Sequence, residues 1–429
     1  MTDIDTTFET RSDSAARQRP RLLERFARNM VLRNLSKLEN GELTIIEDDD
    51  RHVLGHAADD DSLRVTIMVR DLRFYSEVAL GGAVGAGEAY MSGFWSCDDL
   101  TKLVRLLVRN RDVLDNMEGG AAWIMQPARK ILHRINRNTR RGSRRNISAH
   151  YDLGNEFFGL WLDETMMYSA AVFERPDVSL QEASLAKLDR ICQKLQLTPQ
   201  DHVLEIGTGW GGFALYAAGT YGCRVTTTTI SREQYEFAQQ RVAEAGLEDK
   251  VTLLLQDYRD LQGQYDKLVS IEMIEAVGHE YLDTYFSKCA TLLKPQGMMV
   301  LQAITIADQR YKAALKSVDF IQRYIFPGGF LPSVTAMLGS VAQSSDMRVF
   351  HLEDIGAHYA KTLQCWRESF QQKLRQIRAM GYNDTFLRMW EYYFCYCEGA
   401  FIERAIGNVQ IVLVRPDNRR DPLVPSLSA

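Results

Sequence analysis

The stretch Val203-Leu-Glu-Ile-Gly-Thr-Gly-Trp-Gly-Gly-Phe213 decides the fold of this chain. It predicts a short buried strand, a glycine-rich turn and the start of a helix. Glycine has no Cβ and tolerates positive φ, so the backbone can pass close beneath a ligand at Gly207, Gly209 and Gly211. A Gly-x-Gly pair by itself fits a dinucleotide site as well.

The residues around this turn argue against a dinucleotide. In a dinucleotide unit the third glycine follows the second by three residues, whereas here the spacing is Gly-x-Gly-x-Gly-Gly and the bulky Trp210 lies inside the turn. The next strand, 223–230, leads to Ser231 rather than to the acidic residue that would bind a ribose. Asp257 and Tyr258 follow the third strand and suit the edge and face of an adenine. The pattern therefore favours S-adenosylmethionine.

Strands and helices alternate through the rest of this region. Further strands are predicted at 251–256, 267–271, 298–304 and 408–414. Short connections between alternating elements predict a doubly wound parallel sheet that binds ligands beyond the carboxyl ends of its strands. The expected fold class is therefore α/β, a Rossmann-like class I methyltransferase sheet with an antiparallel last strand, a helical substrate insertion and a small α+β N-terminal domain.

Composition narrows the class of protein. The chain has 429 residues, 45% apolar and 25% charged, which is ordinary for a globular protein with two or three cores. A net charge of −5 gives no overall attraction to nucleic acid. No apolar run reaches the roughly 18 residues of a membrane-spanning helix, and the first residues lack a signal-peptide pattern. The odd number of cysteines, seven, is typical of reduced thiols, so we expect a cytoplasmic protein.

The chain divides into four predicted parts. These are a disordered tail at 1–20, an N-terminal α+β domain at 21–115, a basic linker at 116–147 and a catalytic domain at 148–429. In the N-terminal domain we expect a basic amphipathic helix at 21–38, strands at 41–46 and 63–69, a glycine-rich loop at Gly81, Gly82, Gly85 and Gly87, and a helix from Asp98. In the catalytic domain, 306–345 interrupts the sheet pattern with an aromatic and Pro/Gly-rich stretch, which is typical of a lid or substrate pocket.

The linker has an unusual charge pattern. No acidic residue occurs between Gly119 and Tyr151, whereas eight Lys and Arg residues fall within 129–145 among apolar side chains. Such a segment is typical of a surface that docks reversibly on anionic lipid. A solvated linker helix is the alternative, and RNA binding fits less well because no recognition module accompanies the patch.

Several collinear motifs resemble one family, the cyclopropane-fatty-acyl-phospholipid synthases, which include the mycolic acid cyclopropane synthases. The matching pieces are His150-Tyr-Asp-Leu-Gly-Asn-Glu-Phe-Phe158, Met167-Tyr-Ser169, Leu204 to Gly212, Thr229-Ile-Ser-Arg-Glu-Gln234, Leu255-Gln-Asp-Tyr-Arg259, Glu275-Ala-Val-Gly-His279, Tyr324 to Pro332 and Gly399-Ala-Phe401. They span about 150–415, and Tyr90-Met-Ser-Gly-Phe-Trp95 is similar to the family's N-terminal domain.

The resemblance implies methylene transfer from S-adenosylmethionine to a cis double bond in an unsaturated phospholipid acyl chain. The resulting carbocation loses a proton and closes a cyclopropane ring. The site must therefore exclude water, stabilise positive charge and supply a base. In the family a bound bicarbonate ion is that base, held by a Glu, a His, a Tyr and the backbone amides near a Cys and an Ile.

The resemblance assigns these roles to particular positions. The bicarbonate set falls on Glu275, Tyr359, Ile304, Ala170 in the Cys position and Gln302 in the His position. Gln302 can donate a hydrogen bond but cannot carry charge or relay a proton. Cys397 aligns with a family thiol, for which buried packing is the default, since methyl transfer to an alkene needs no thiolate. The cofactor positions are Tyr168, Ser169, Gly207, Gly209, Gly211, Thr229, Ser231, Gln234, Asp257 and Tyr258.

Alternatives remain at this point. The same methyl transfer could end in a methylene- or methyl-branched chain, the chain could be a small-molecule methyltransferase, or it could be a non-catalytic lipid-binding homologue. The histidines at 150, 279 and 358 lack metal-ligand spacing, so no metal is expected. The family suggests a homodimer, and the basic segment 129–145 predicts reversible association with the inner membrane surface.

Overall fold

The computed structural model describes residues 22–57, 63–113 and 154–421, in which two β-sheets organise the chain. The predicted disordered tail at 1–20 and the basic segment 129–145 lie outside the described residues. Within the described ranges, no helix combines the length and apolar character that crossing a bilayer requires.

The N-terminal sheet has four strands in the order β2-β1-β3-β4. Its strands are β1 (Gly41–Glu47), β2 (Asp50–His56), β3 (Arg64–Val69) and β4 (Trp95–Cys97). Helices Leu22–Leu35, Arg73–Met91 and Leu100–Arg109 accompany it. The α+β prediction for this region is confirmed. Strand β2 was not predicted, because it is an edge strand paired with β1 and its largely polar residues are only partly buried.

The predicted glycine-rich loop in this region is wrong. Its glycines lie within the helix Arg73–Met91, which Gly82 breaks with a φ of 56°. A Cβ on Gly85 would lie 2.0 Å from the Glu77 carbonyl oxygen, and one on Gly87 would lie 2.6 Å from the Phe320 ring. The glycines therefore permit close packing at a kink rather than forming an open loop.

The large sheet has seven strands in the order β10-β11-β9-β8-β5-β6-β7. Its strands are β5 (His202–Ile206), β6 (Arg224–Thr229), β7 (Val251–Leu255), β8 (Tyr265–Ile271), β9 (Leu293–Ile306), β10 (Arg348–Asp354) and β11 (Ile406–Val414). Strands β5 to β9 pair in parallel, and β11 lies antiparallel between β9 and β10. The predicted doubly wound sheet with an antiparallel last strand is confirmed, and β10 is an additional, bulged edge strand that the sequence pattern did not indicate.

Helices cover the large sheet and its insertion. They are Asn155–Gly159, Leu180–Leu195, Gly212–Tyr221, Arg232–Glu244, Leu282–Leu292, Asp308–Ala314, Val334–Ser344, Gly356–Gln372, Leu374–Ala379 and Asp384–Ile402, with short 3-10 turns at Tyr258–Asp260, Ile274–Ala276 and His279–Tyr281 and a π-turn at Ile321–Ile325.

The helix Asp384–Ile402 joins the N-terminal region to the large sheet. The Tyr90 hydroxyl donates to Glu391 at 2.7 Å, and Arg105 and Arg109 both bind Glu403 just beyond the helix end. One hydrophobic core runs continuously from the N-terminal sheet to this helix. The N-terminal region and the large-sheet region therefore pack against each other through this helix. The predicted linker at 116–147 between two domains stays a prediction.

Candidate active site

The glycine turn after β5 lies at the carboxyl edge of the large sheet. Gly207, Gly209 and Gly211 have φ values of 102°, 51° and 87°, in the left-handed region that glycine favours. A Cβ on Gly209 would meet no described atom within 4 Å, so the space beside it is open. A Cβ on Gly212 would lie 2.7 Å from the Thr165 carbonyl oxygen, so the chain before Tyr168 packs directly on this turn.

A cavity of about 840 Å³ opens from the turn. Eight of the ten predicted cofactor residues line it: Tyr168, Ser169, Gly207, Gly209, Thr229, Gln234, Asp257 and Tyr258. The other two, Gly211 and Ser231, do not line the cavity but shape the elements that do. Gly211 precedes the helix Gly212–Tyr221, and the Ser231 side chain caps the helix Arg232–Glu244 by accepting a hydrogen bond from the Gln234 N–H. The set predicted from sequence is thus brought together around one space.

Polar contacts orient the cofactor side of the cavity. The Thr229 hydroxyl donates to the Gln234 carboxamide oxygen at 3.0 Å, which fixes that side chain in the wall. Asp257 is held at the end of β7 by Arg259. The open glycine turn, a fixed amide and an aromatic ring at Tyr258 fit the adenosine part of S-adenosylmethionine, and Tyr168 and Ser169 would hold its methionyl end.

The cavity continues away from the turn into apolar surroundings. The insertion contributes Ile306, Leu315, Ile321, Phe326, Phe330 and Leu331, and the N-terminal region contributes Val31, Leu43, Ile67, Phe74, Trp95 and Leu103. The prediction that 306–345 forms part of a substrate pocket therefore has geometric support. The participation of the N-terminal region was missed, because nothing in its local pattern indicates which of its apolar residues face a cavity.

Two carboxylates lie where the cofactor side meets the apolar side. Glu272 and Glu275 follow β8, are half-buried and line the cavity. Glu275 was expected in this place, but Glu272 was not. The signal available in the sequence was an acidic residue just after a parallel strand, and both Glu272 and Glu275 meet that description.

The Glu272 carboxylate accepts four hydrogen bonds. Oε1 accepts from the Ala170 backbone N–H at 3.0 Å, the Gln302 amide at 2.7 Å and the Asn408 amide at 2.6 Å, and Oε2 accepts from the Tyr359 hydroxyl at 2.9 Å. Burial raises the pKa of Glu272, and these donors oppose that effect. Three of the groups that were predicted to hold bicarbonate thus contact the side chain of Glu272.

A relay of polar side chains sets the orientation of Gln302. The Lys194 ammonium donates to the Gln410 oxygen at 2.6 Å, and the Gln410 amide donates to the Gln302 oxygen at 2.9 Å. Because an ammonium has only donors, it fixes both carboxamides so that Gln302 presents N–H to Glu272. Glu353 in turn binds Lys194 at 2.5 Å. Gln302 is therefore part of an ordered network although it does not line the cavity.

Glu275 has a much poorer set of partners. One oxygen accepts from the Ile304 N–H at 2.5 Å, and the other has no hydrogen-bond partner within the described part of the chain. Burial and the nearby Glu272 raise the pKa of Glu275 to about 8. Glu275 is consequently mostly protonated at neutral pH, unlike an exposed glutamate.

The remaining predicted residues have distinct surroundings. The Tyr168 hydroxyl donates to the Tyr393 hydroxyl at 2.9 Å, and the buried Lys187 donates to Ser169 at 2.9 Å. Cys397 lines the cavity, and burial raises the pKa of its thiol, so the thiolate is disfavoured. This environment gives no support to a nucleophilic Cys397.

This fold and site define a class I S-adenosylmethionine-dependent methyltransferase. The model of the family "Mycolic acid cyclopropane synthetase" matches residues 138–411, and the chain belongs to that family. S-adenosylmethionine is its cofactor.

Named relatives agree with this assignment. The chain is 40% identical to the cyclopropane-fatty-acyl-phospholipid synthase of Escherichia coli over 81% of this chain and 87% of that protein. It is 39% identical to a tuberculostearic acid methyltransferase of Mycobacterium tuberculosis over 78% of this chain and 79% of that protein. A solved mycolic acid cyclopropane synthase complexed with SAH and CTAB superposes with a TM-score of 0.60 at 33% identity, covering 63% of this chain and 98% of its own.

Proposed function

We propose that this protein transfers a methylene group from S-adenosylmethionine to the cis double bond of unsaturated phospholipid acyl chains, giving cyclopropane fatty acids. One observation carries the proposal: one cavity joins the glycine turn to apolar walls, with two half-buried carboxylates at the junction. The names of the relatives support lipid acyl chains as the broader substrate class.

The apolar part of the cavity suits an acyl chain better than a polar small molecule. Aromatic side chains surround the junction, among them Tyr168, Phe326 and Tyr393, with Tyr168 and Phe326 ring centroids 5.9 Å apart. Aromatic faces stabilise a nearby cation, here a sulfonium and then a carbocation. The apolar walls would also keep water from capturing the carbocation before the ring closes.

The catalytic assignments remain proposals that rest on this geometry. Glu275 and Tyr359 face the cavity, the Ile304 N–H holds Glu275, and Ala170 and Gln302 act from behind the wall through Glu272. Cys397 is proposed to shape the apolar wall rather than to react.

A methyl- or methylene-branched product is the second candidate. The relative named as a tuberculostearic acid methyltransferase is nearly as similar as the Escherichia coli enzyme. The cyclopropane and the methylene branch begin with the same methyl transfer, and both end when a base removes a proton. The methylene branch needs a hydride shift along the acyl chain before that step, and a methyl branch needs a further hydride donor that reduces the methylene. The residues named above therefore serve the cyclopropane and the methylene branch.

The membrane and assembly assignments also stay proposals. Reversible docking through the basic segment 129–145 at the inner membrane surface would bring the cavity to its substrate, and a homodimer is the proposed assembly. A cytoplasmic location follows from the same reasoning.

Mass spectrometry of lipids from a host that expresses the protein tests the proposal. Unsaturated chains should gain the mass of one CH2 group, and proton NMR should then show ring protons rather than a branch methyl or methylene. Calorimetric titration with S-adenosylmethionine separates an enzyme from a non-catalytic homologue, which should give no heat of binding. Lipids unchanged in mass would contradict the proposal.

A further inference from the structure

Glu272 occupies an unfavourable backbone position for a glutamate. Its φ is 50°, in the left-handed region where glycine is the usual residue. It lies at the carboxyl end of β8, is half-buried and lines the cavity. A side chain that persists at such a position suggests a function for its carboxylate.

The donors around Glu272 favour its ionised form. The Ala170 backbone N–H cannot be reversed, and the relay from Lys194 fixes Gln302 with its N–H toward the carboxylate. Burial lowers the pKa of Lys187 to about 8, and Glu272 is the main charged group that opposes this effect, so the two side chains favour each other's charged forms. These donors and Lys187 stabilise the carboxylate more than the carboxylic acid, whereas Glu275 has far fewer donors, so Glu272 is the ionised member of the pair.

Glu275 lacks such support. Backbone N–H groups, including that of Ile304, are its donors, and its second oxygen has no hydrogen-bond partner in the described ranges. Two buried carboxylates that interact do not both ionise easily, and the better-solvated one takes the charge. Glu272 therefore provides the anionic base of the site, and Glu275 is its neutral neighbour at pH 7.

We propose that Glu272 is the general base of the methylene transfer and takes the place of a free anion such as bicarbonate in this chain. This inference rests on the proposed function. The sulfonium C–S bond breaks with its electron pair going to sulfur, and the alkene π pair forms the new C–C bond. Glu272 then accepts a proton from the transferred methyl group, and the electron pair of that C–H bond closes the ring.

The same contacts explain why a soluble anion is not needed. The Ala170 N–H, the Gln302 amide and the Tyr359 hydroxyl are all bonded to Glu272. A bicarbonate ion would have to displace a tethered carboxylate from these donors. Tethering also replaces a bimolecular binding step with a permanently positioned group. Activity should therefore be independent of bicarbonate.

Two substitutions at one position test this. Glu272→Gln keeps the size but cannot accept the proton, so turnover should fall about 100-fold or more with cofactor affinity nearly unchanged. Glu272→Gly relieves the backbone strain at this positive φ and leaves the four donors free to bind a small anion. Added bicarbonate should therefore raise the turnover of this variant at least about tenfold. Arg404→Gly, at another non-glycine residue with positive φ (54°) and outside the cavity lining, controls for the backbone change.

The assay compares turnover in carbon-dioxide-depleted and bicarbonate-containing buffer, together with binding of 13C-bicarbonate to the complexes with S-adenosylhomocysteine. Wild-type turnover should be the same in both buffers, and only Glu272→Gly should bind the labelled anion. Dependence of the wild type on bicarbonate, a folded Glu272→Gln variant with near-normal turnover, or labelled anion bound to the wild type but not to Glu272→Gly would each overturn the inference. A wild type that leaves lipids unaltered would instead contradict the proposed function, while the binding arm still tests Glu272.

Discussion

Tyr359→Phe tests the electrostatics of the carboxylate pair most directly. The substitution removes the hydroxyl that donates to Glu272 at 2.9 Å. It keeps the ring, which stacks on Phe401 with centroids 4.5 Å apart and meets Trp366 edge-on. The change is therefore confined to one hydrogen bond in a buried site.

The magnitude follows from the charge of the acceptor. A hydrogen bond to a charged group contributes about 1.5–3 kcal/mol, and about 1.36 kcal/mol corresponds to one pKa unit. The hydroxyl stabilises the ionised form, so its loss should raise the pKa of Glu272 by about 1–2 units. Because the base works only when ionised, the acid limb of the pH–rate profile should move to higher pH by the same amount. Well below this limb, turnover should fall by about 10- to 100-fold.

The assay is kcat/KM across the pH range in which the enzyme is stable, with the limb assigned to the pair of carboxylates as a unit. Tyr285→Phe is the matched control. Its ring is also buried, it does not line the cavity, and its hydroxyl lies beside Ser270 and Cys289 rather than beside either carboxylate. If folded Tyr359→Phe keeps the wild-type acid limb, the hydroxyl does not tune the catalytic base and the reasoning is refuted.

Three further predictions concern the other parts of the site. Glu275→Gln should change turnover and cofactor affinity little near pH 7, where the amide replaces a neutral carboxylic acid, and should lower turnover increasingly as pH rises through about 8, where the wild-type carboxylate ionises beside the developing cation; a large deficit that is constant with pH would contradict this. Gly207→Ala should weaken S-adenosylmethionine binding by about tenfold, as measured by calorimetry, because the φ of Gly207 is 102° and the new Cβ would lie 3.2 Å from Met273. Gly219→Ala is the control: its new Cβ would have its nearest contact at 3.8 Å, so this variant should bind the cofactor normally. Replacing four arginines of the basic segment by glutamine should weaken sedimentation with anionic vesicles, most clearly at low salt, and unchanged sedimentation would leave the segment a linker. These arginines are Arg137, Arg140, Arg141 and Arg144.

Local pattern predicted most of the large sheet correctly. Strands β5, β8, β9 and β11 contain apolar runs, as burial on both faces of a sheet produces, and β7 is an apolar stretch of five residues. Strand β6 is a run of buried threonines, which also favour strands. Edge strands were harder, because β2 and β10 are only partly buried and their residues look polar. The glycines between 81 and 87 were misjudged since local rules treat glycine as a loop signal, whereas here close contacts with Glu77 and Phe320 require it inside a helix.

The residues of the candidate site were likewise predicted only in part. The glycine turn, Gln234 and Asp257 follow directly from motifs at strand ends, and the structure places them around one cavity. Glu275 was expected from the family motif, but the importance of Glu272, three residues earlier, was not apparent. No short-range spacing indicates that Glu272 would collect four donors.

The sequence by itself determined the α/β fold, the cofactor turn and the family, because these depend on hydrophobic periodicity and on glycine conformations within a few residues. Only the tertiary structure decided which carboxylate is held as an anion and which walls enclose the substrate. The donors to Glu272 come from positions 30 to 136 residues away in the chain. A buried charge is set by the groups that surround it in space, and chain folding alone brings those groups together.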